Sequence, residues 1–291
     1  MSRSSIPRLA MPLLLSGCAH HDPRPTTSLL GTSPLVIGHR GAAALAPENT
    51  LAGFRLARDL GVAFELDVTM SADGRVVVIH DDELDRTTSG AGFVDETSWA
   101  DLARLDAGGW YGEGFAGEPL PTLDMVFEEI GGDVPIDVEI KSPRDRTRAA
   151  ELAGLVVDCI EKYGMEERVF ITSFNPLVLA AVRERAPEIP RGQLVGTFEG
   201  SELGGLTKMV LKKLWLNKRA DADIIVAESA FLTPARMRHY LAHGYRVMAW
   251  TVNDEAEMRR LLGLGVSGII TDDPALALAV VRNGPEASRP R

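Results

Sequence analysis

The sequence predicts an α/β fold, a (β/α)8 TIM barrel with a small insertion after the second strand. Short apolar runs rich in β-branched residues alternate with segments of helical periodicity, which is typical of a parallel sheet built from βα units. There are eight such runs, and the 291 residues exceed the roughly 250 that a barrel needs. Closure into a barrel is therefore favoured over an open, doubly wound sheet.

Apolar runs mark the strands in chain order. We expect them at residues 35–39, 63–69, 134–141, 168–173, 192–198, 222–228, 245–252 and 267–271. The segments between them predict helices near residues 49–60, 122–130, 147–163, 175–186, 205–219, 233–243 and 254–263, and a last helix follows Pro274.

One apolar run, residues 75–80, does not fit this count. It follows the second strand across Ser71-Ala72-Asp73-Gly74, and Asp-Gly is a strong hairpin signal. A parallel neighbour would need a crossover of about a dozen residues or more. We therefore expect this run to fold back antiparallel on the second strand and to carry His80 towards Glu65 and Asp67.

The barrel domain is expected to span residues 34–284. Residues 81–117 are rich in glycine and aromatic side chains, and we interpret them as a small inserted subdomain on the functional face of the barrel. The alternative is a surface loop with its own hydrophobic cluster. The polar residues 285–291 are expected to form a flexible tail.

The first residues resemble a bacterial lipoprotein signal. Two arginines precede a short apolar stretch, and Leu15-Ser16-Gly17-Cys18 resembles a lipobox. We expect residues 1–17 to be a signal peptide, Cys18 to carry the lipid and residues 18–33 to form a tether. The alternative is an irregular N-terminus with a chance cysteine. The lipoprotein interpretation predicts an extracytoplasmic protein, in the periplasm or at the cell surface, anchored to a bacterial membrane.

The charge of the chain argues against one class of partner. It carries 41 acidic and 31 basic residues, a net charge of −10, with no basic stripe, so we expect no nucleic-acid partner. An anionic small-molecule ligand is still compatible with this net charge, because its binding depends on a few cations at the site. The second cysteine, Cys159, lies on a helical apolar pattern and is expected to be a buried core residue.

Carboxylates end two of the predicted strands. Glu65 and Asp67 alternate with an apolar residue, as do Glu139 and Lys141, so each pair projects to one side of its strand. Burying three unpaired carboxylates would be costly. A divalent cation would reconcile them, and oxygen-only ligation suits Mg²⁺ or Ca²⁺ rather than zinc. The alternative is a salt-bridge network with Lys141 and Arg40, which sets three acids against two bases and leaves one charge unmatched.

Two histidines and two cations complete a set of groups suited to cleavage of a phosphodiester. His39 ends the first strand and His80 ends the hairpin, and imidazole can serve as base or acid near neutral pH. Arg40 and Lys141 would then hold the non-bridging oxygens of the phosphate.

Two aromatic residues each have two interpretations, and a third residue has a structural one. Phe174 follows the fourth strand and Trp250 lies in the seventh, and each could form an apolar wall of the pocket or belong to the core. Asn49, within Glu48-Asn49-Thr50, could simply cap the helix that follows.

In this order, the strand-end motifs closely resemble those of the glycerophosphodiester phosphodiesterase family. The resemblance covers about residues 35–282. Its motifs are His39-Arg40-Gly41, Pro47-Glu48-Asn49-Thr50, Glu65-Leu66-Asp67-Val68, His80-Asp81, Leu84-Asp85-Arg86-Thr87-Thr88, Pro121-Thr122-Leu123, Glu139-Ile140-Lys141, Ser173-Phe174, Trp250-Thr251-Val252-Asn253 and Ile269-Ile270-Thr271-Asp272.

The resemblance implies a barrel with an inserted segment after the second strand. It also implies hydrolysis of deacylated phospholipids to sn-glycerol 3-phosphate and an alcohol, with Ca²⁺ or Mg²⁺ as cofactor and a small-molecule glycerophosphodiester as substrate. Carried over by position, the implied roles are general acid/base for His39 and His80, metal ligation for Glu65, Asp67 and Glu139, and phosphate contact for Arg40 and Lys141.

Two other functions stay open. A phospholipase-D-like enzyme acting on lysophospholipids or sphingomyelin would use the same histidine pair and metal, and a membrane-anchored enzyme would meet such lipids. Residues 206–219, with four lysines, could touch a membrane but better fit an outer barrel helix. A non-catalytic lipoprotein that binds phosphodiesters would be expected to lose a histidine or a metal ligand, whereas all are present.

Overall fold

The computed structural model describes residues 23–197, 205, 214 and 216–283, and their strands close into a barrel. The strands are β1 (Leu35–Gly38), β2 (Ala63–Met70), β3 (Val76–Val78), β4 (Ile136–Ile140), β5 (Val169–Ser173), β6 (Arg191–Val195), β7 (Ile224–Glu228), β8 (Arg246–Trp250) and β9 (Gly268–Thr271). All pairings are parallel except that of β3, and β1 pairs with both β2 and β9, which closes the ring. The predicted eight-stranded barrel is confirmed.

Most of the helices follow strands and form the outer layer. Within the described residues they are α1 (Thr27–Leu30), α2 (Leu51–Asp59), α3 (Trp99–Leu102), α4 (Leu123–Ile130), α5 (Ala149–Tyr163), α6 (Pro176–Arg185), α7 (Asn217–Ala220), α8 (Pro234–Ala242), α9 (Glu255–Gly263) and α10 (Pro274–Asn283). Most of the helix expected at 205–219 lies outside the described residues, as do residues 1–22 and 285–291. None of the described helices has the length and apolar character needed to cross a bilayer.

Side-chain caps explain where four of the outer helices begin. In each case the oxygen of the residue before the helix accepts a hydrogen bond from a backbone N–H three residues later, and each such cap stabilises its helix by about 1 kcal/mol. The pairs are Thr50 with Gly53 in α2, Thr122 with Met125 in α4, Thr233 with Arg236 in α8 and Asp254 with Glu257 in α9.

The hairpin after the second strand is confirmed. Val78 of β3 pairs antiparallel with Val68 of β2, and the Ile79 backbone N–H donates to the Asp67 carbonyl oxygen at 3.0 Å. This register brings His80 to the level of Asp67. The short return strand therefore delivers a side chain to the barrel mouth that a parallel strand at this position could not.

Side chains of the strands alternate between two layers. Phe64 and Leu66 of β2 point outwards and pack in the large core cluster that the helices cover. Ala63 points into the barrel and packs there with Phe170 and Met248. Because Glu65 and Asp67 share the face of Ala63, the interior is apolar near the amino ends of the strands (the amino face) and polar near their carboxyl ends (the carboxyl face).

Residues 23–31 close the amino face of the barrel, and we call them the N-terminal plug. Leu30 is buried in the interior cluster, and the Arg24 guanidinium forms an ion pair with Asp223, directly before β7. The sequence predicts a tether over residues 18–33, and in the described part of that segment Leu29 and Leu30 supply apolar surface to the interior cluster. Cys18 and the rest of the predicted tether lie outside the described residues.

The long connection over residues 81–117 has a small core of its own. It contains 3-10 turns at Val94–Glu96 and Glu113–Phe115 in addition to α3. Its buried apolar residues Leu84, Val94, Leu102 and Ala107 pack in one cluster with the flanking residues Val77, Ile79 and Leu120. This cluster holds the connection above the carboxyl face, beside the loop that carries His80.

Gly38 ends β1 immediately before the loop that carries His39, and a side chain there has no room. An added Cβ would lie 1.7 Å from the carbonyl oxygen of Gly41. We expect Gly38→Ala to lower the free energy of unfolding by about 1–3 kcal/mol or more, the usual cost of overpacking, as measured by urea denaturation.

Gly154→Ala is the matched control. Gly154 lies inside α5, where an added Cβ would come no closer than 3.8 Å to Arg185. Alanine is favoured over glycine in a helix, so this variant should gain about 0.5–1 kcal/mol. A loss of similar size in both variants would contradict the close-approach argument for Gly38.

Candidate active site

The predicted site residues meet in one cavity of about 110 Å³ at the carboxyl face of the barrel. The cavity is lined by His39, Arg40, Glu65, Asp67, His80, Asp137, Glu139, Lys141, Thr172, Phe174, Leu194, Trp250, Thr251 and Ile270. All the predicted residues for acid/base chemistry, metal ligation and phosphate contact are in this set, as are both aromatic residues. Cys18, the predicted lipidation site, lies outside the described residues.

Three carboxylates converge in the interior of the barrel. One oxygen from each of Glu65, Asp67 and Glu139 lies within 4.8 Å of the other two. Parallel pairing sets this geometry, since Glu65 is opposite Asp137 and Asp67 is opposite Glu139 on the next strand. Burial, with the like charges of Asp67 and Glu139, raises the pKa of Glu65 well above its usual value.

Asp67 has two cationic partners, whereas Glu139 has one. Lys141 Nζ lies 3.3 Å from Asp67 Oδ1 and 3.2 Å from Glu139 Oε1, and Arg40 Nε lies 3.4 Å from Asp67 Oδ2. Burial opposes ionisation of Asp67, but Lys141, His80 and Arg40 overcome it and lower its pKa. Burial likewise disfavours the charged form of Lys141, and its two acidic partners nevertheless raise its pKa.

A fourth acid, Asp137, lines the same cavity but is not among the residues predicted from the sequence. It is 1% exposed and accepts a hydrogen bond from Thr172 Oγ1 at 2.7 Å. Burial raises its pKa well above the usual value. The signal was available, because Asp137 alternates with Glu139 and Lys141 on one face of β4.

The donor set fits a hard divalent cation. Four carboxyl groups and two cationic side chains, those of Arg40 and Lys141, line the cavity within the described part of the chain. One of those cations is shared, because Arg40 Nη1 also donates to Glu48 Oε1 at 2.6 Å. The salt-bridge network that was the alternative to a metal site is present around Asp67. It does not extend to Glu65, whose pKa is raised and whose described contacts include no cationic side chain at bonding distance.

His39 is held by an acid from the last strand. Its Nδ1 lies 2.6 Å from Asp272 Oδ1, and the other oxygen of Asp272 accepts a hydrogen bond from the Asn253 side chain. The backbone N–H of His39 donates to the Thr271 carbonyl oxygen at 2.7 Å. His39 Nδ1 is thus occupied, which leaves Nε2 for the cavity.

His80 has an equivalent partner in the next residue. Its Nδ1 lies 2.6 Å from Asp81 Oδ1, and Arg86 Nε donates to Asp81 Oδ2 at 2.5 Å. Burial lowers the pKa of His80, opposed by Asp67 and assisted by Lys141. The two histidines therefore have the same arrangement, an imidazole whose Nδ1 contacts a carboxylate.

Arg86 links the two histidine-bearing loops. Besides Asp81 it contacts Glu48, with Nη1 and Nη2 each 2.8 Å from one carboxylate oxygen. Glu48 in turn holds Arg40, which follows His39. The sequence motifs contained Asp81, Arg86 and Asp272, but nothing in the sequence indicated that they contact one another or the histidines.

The loop after β1 adopts backbone conformations that are rare for its residues. Arg40 has φ 51° and Asn49 has φ 55°, both in the left-handed region. Asn49 Nδ2 donates to Asp67 Oδ2 at 2.9 Å, and the Asp67 backbone N–H donates to Asn49 Oδ1 at 3.1 Å. Asn49 therefore anchors a buried acid. The helix cap expected within Glu48-Asn49-Thr50 is present, but Thr50 rather than Asn49 caps α2.

The two aromatic residues form one wall of the cavity. Phe174 and Trp250 stack edge to face with ring centroids 5.5 Å apart, and Trp250 Nε1 donates to the Val226 carbonyl oxygen at 3.1 Å. Neither is fully buried, and both pack on the interior apolar cluster while facing the acids. They line the cavity rather than filling the core below it.

Two wider clefts open from the cavity towards solvent. One, of about 590 Å³, includes His80, Phe93, Arg144 and Phe174 among its lining residues. The other, of about 520 Å³, includes His39, Arg40 and Glu48. A ligand with its central group in the cavity would therefore extend past one or both of the histidines.

Comparison with known proteins gives a consistent result. The model of the glycerophosphoryl diester phosphodiesterase family matches residues 39–276. A glycerophosphodiester phosphodiesterase of Caldanaerobacter subterraneus is 38% identical over 253 residues, which is 86% of this chain and 98% of that relative. A glycerophosphodiester phosphodiesterase of Bacillus subtilis is 32% identical over 254 residues, 83% of this chain and 84% of that relative.

Solved structures agree with these relatives. A phosphodiesterase of Oleispira antarctica, solved in complex with the product sn-glycerol-3-phosphate, is 30% identical with a TM-score of 0.76, covering 86% of this chain and 97% of its own. A glycerophosphoryl diester phosphodiesterase of Silicibacter pomeroyi, so far assigned as putative, is 28% identical with a TM-score of 0.75, covering 91% and 96%.

Arg86→Gln tests the link between the two loops. The hydrogen bond from Arg86 is the largest cause of the lowered pKa of Asp81, which is about 2. We expect the substitution to raise this pKa towards the ordinary value of about 3.9, as measured by carbon-13 NMR titration. Since a depressed carboxylate pKa stabilises the fold above the unfolded-state pKa, the stability lost in the variant should be constant above about pH 5 and shrink between about pH 4 and 2.

Arg148→Gln is the control for this prediction. Arg148 also forms an ion pair with a carboxylate, that of Glu151 at 2.8 Å, but on the outer surface at the start of α5. It should leave the pKa of Asp81 unchanged. An Asp81 pKa that stays near 2 in Arg86→Gln would show that Arg86 does not control this carboxylate.

Proposed function

Since the chain belongs to the glycerophosphoryl diester phosphodiesterase family, we propose that it hydrolyses glycerophosphodiesters to sn-glycerol 3-phosphate and an alcohol. The observation that carries this proposal is the pair of carboxylate-held histidines, His39 and His80, at the rim of one acid-lined cavity. The Oleispira antarctica relative, which was solved with sn-glycerol-3-phosphate, supports the same product.

Glu65, Asp67 and Glu139 are the residues that would hold a divalent cation, either Ca²⁺ or Mg²⁺. When bound, the cation would neutralise negative charge on the phosphate and on the three acids. Asn49 and Lys141 keep the Asp67 carboxylate fixed through both of its oxygens. The ligand set is therefore held in place by the protein itself.

Arg40 and Lys141 are the residues that would contact the non-bridging oxygens of the phosphate. Buried Arg40 Nε has no hydrogen-bond partner among the described residues, although it lies 3.4 Å from Asp67 Oδ2. An unsatisfied buried donor costs about 1–3 kcal/mol, and a phosphate oxygen in the cavity would satisfy it. Glu48 fixes the other end of the guanidinium, so Arg40 would meet the phosphate without rearranging.

His39 and His80 would transfer the protons of the reaction. One accepts a proton from the attacking oxygen, and the other donates a proton to the departing alcohol. Asp272 and Asp81 keep Nδ1 of the two rings engaged, so that Nε2 exchanges the proton in each case. The lowered pKa of His80 keeps this ring neutral, and able to accept a proton, at neutral pH.

Phe174 and Trp250 would contact the carbon atoms of the glycerol group. Their edge-to-face pair forms an apolar wall opposite the acids in a cavity of about 110 Å³, which is small enough to favour glycerol over a larger group. The alcohol group would extend into one of the two open clefts, of about 590 and 520 Å³, where it would make fewer contacts with the protein.

We further propose that the chain is lipid-anchored through Cys18 on the extracytoplasmic side of a bacterial membrane. The order of basic residues, apolar stretch and Leu15-Ser16-Gly17-Cys18 supports this proposal. Mass spectrometry of the membrane fraction would detect a diacylglyceryl modification of Cys18.

The first test is release of sn-glycerol 3-phosphate from glycerophosphocholine, with and without a chelator. We expect chelation to abolish release and added Ca²⁺ or Mg²⁺ to restore it. His39→Ala and His80→Ala should each lower kcat by about 10²- to 10⁴-fold, the usual contribution of general acid/base catalysis. His243→Ala is the control, because His243 lies after the outer helix α8 and contacts the His239 carbonyl oxygen.

Three outcomes would point elsewhere. Chelator-resistant release would contradict metal dependence. Release only from lysophosphatidylcholine or sphingomyelin would favour the phospholipase-D-like function. Binding of glycerophosphocholine by calorimetry, without any hydrolysis and with equal affinity in His39→Ala, would indicate a non-catalytic binding protein.

Trp250→Ala tests the apolar wall. Removing the indole takes away one face of the glycerol contact, so we expect KM for glycerophosphocholine to rise about tenfold with a smaller change in kcat. Trp250→Phe, which keeps an aromatic face, should stay within about threefold of the native KM. Trp110→Ala, in the insertion and 43% exposed, is the control. A fall in kcat alone would contradict a role in binding.

A further inference from the structure

The N-terminal plug is attached to the amino face of the barrel by several independent contacts. The Arg24 backbone N–H and Nε both donate to Asp223 Oδ1, at 2.9 and 3.0 Å, and Nη2 lies 2.5 Å from Oδ2. Arg24 also donates to the carbonyl oxygens of Pro187 and Ile189, in the loop before β6. Further along, Arg246 Nη1 donates to the Gly31 carbonyl oxygen at 2.7 Å.

Burial makes the Arg24 contact specific. The Asp223 side chain is 0% exposed, and a buried carboxylate needs a charged partner with good geometry. A guanidinium fork that meets both oxygens supplies it. Leu30, 2% exposed, adds an apolar contact inside the barrel itself. The plug is therefore part of the folded domain, and its attachment decides where the chain upstream of it leaves the barrel.

That exit is at the end of the barrel opposite the cavity. Asp223, Ile189 and Arg246 all lie at or just before the amino ends of strands β6 to β8. The site residues lie at the carboxyl ends, with Trp250 at the end of β8 itself. Cys18 is five residues before Pro23, and five residues of extended chain reach at most about 18 Å.

We propose that the N-terminal plug orients the anchored enzyme, with its amino face towards the membrane and its active site towards the aqueous phase. This inference rests on the proposed lipidation of Cys18. With so short a connection, the barrel cannot turn over to bring its mouth to the bilayer that holds it. The substrate class that fits is a water-soluble phosphodiester that diffuses to the site, rather than a lysophospholipid embedded in the anchoring membrane.

Fluorescence resonance energy transfer from a donor on the protein to acceptors at the membrane surface tests this orientation. The full-length lipidated chain, reconstituted in phosphatidylcholine vesicles with acceptor-labelled headgroups, would carry a donor at Leu45→Cys near the mouth or at Glu188→Cys on the amino face. Both positions are exposed. Native Cys159 is buried, and burial raises the pKa of its thiol to about 12, so it should stay unlabelled. We expect the transfer efficiency from position 188 to be at least twice that from position 45.

A longer connection is the control, and it leaves the fold untouched. Twenty Gly/Ser residues inserted between His21 and Asp22 would add a flexible span of about 25 Å. The ratio of the two efficiencies should then fall towards one. Arg24→Ala, which weakens the plug without touching the cavity, should move the ratio in the same direction.

Equal efficiencies from the two positions in the native-length chain, or a higher one from position 45, would overturn the proposal. A full-length chain that fails to partition into vesicles would overturn it as well. Hydrolysis of glycerophosphocholine, measured in the same vesicle suspension, separates these results from the proposed activity. Active enzyme with equal efficiencies refutes the orientation alone, whereas an inactive enzyme with the expected ratio refutes the proposed function alone.

Discussion

The buried carboxylate of Asp67 is the constraint on which the rest of the site depends. It is 1% exposed and can be ionised only because Lys141, Arg40 and Asn49 contact its two oxygens. These partners come from two parts of the barrel rim. Lys141 directly follows β4, and the loop after β1 delivers Arg40 and Asn49. Satisfying one buried charge therefore fixes one loop and one strand end together, which is the preorganisation that a phosphate site requires.

Backbone strain in the loop after β1 follows from this requirement. Arg40 and Asn49 both adopt left-handed conformations, which cost of order 1–3 kcal/mol each unless the surroundings hold them. Asn49 is held by two hydrogen bonds to Asp67, and Arg40 by Glu48 and by its own backbone N–H, which donates to Glu65 at 2.7 Å. The conformations persist because the contacts with the acids exist only in them.

Short-range patterns in the sequence are sufficient to predict the barrel, the antiparallel hairpin and, except for Asp137, the charged residues and histidines that line the cavity. The alternation of side chains along a strand places Glu65 and Asp67 on one face, and closure of the barrel then makes the carboxyl ends of the strands neighbours. The carboxylate partners of the two histidines could not be predicted in this way. Asp272 lies 233 residues from His39, and only the β1–β9 pairing brings them together. The role of Asn49 could not be predicted from local sequence either. An asparagine just before a helix can cap that helix or hydrogen-bond to a distant buried group, and the sequence looks the same in both cases.

The two ends of the barrel differ in what they can tolerate, and this separates the N-terminal plug from the acid-lined cavity. At the amino face the interior is apolar, so an apolar segment such as Leu29-Leu30 seals it and the chain must leave from there. At the carboxyl face, excess negative charge prevents close packing of the same kind and keeps a cavity open. A segment docked at the mouth would have to pack against the buried carboxyl groups there and would exclude the ligand. The plug and the acid cluster therefore have to occupy opposite ends of one interior, so the direction of the active site relative to the N-terminus follows from the distribution of buried charge.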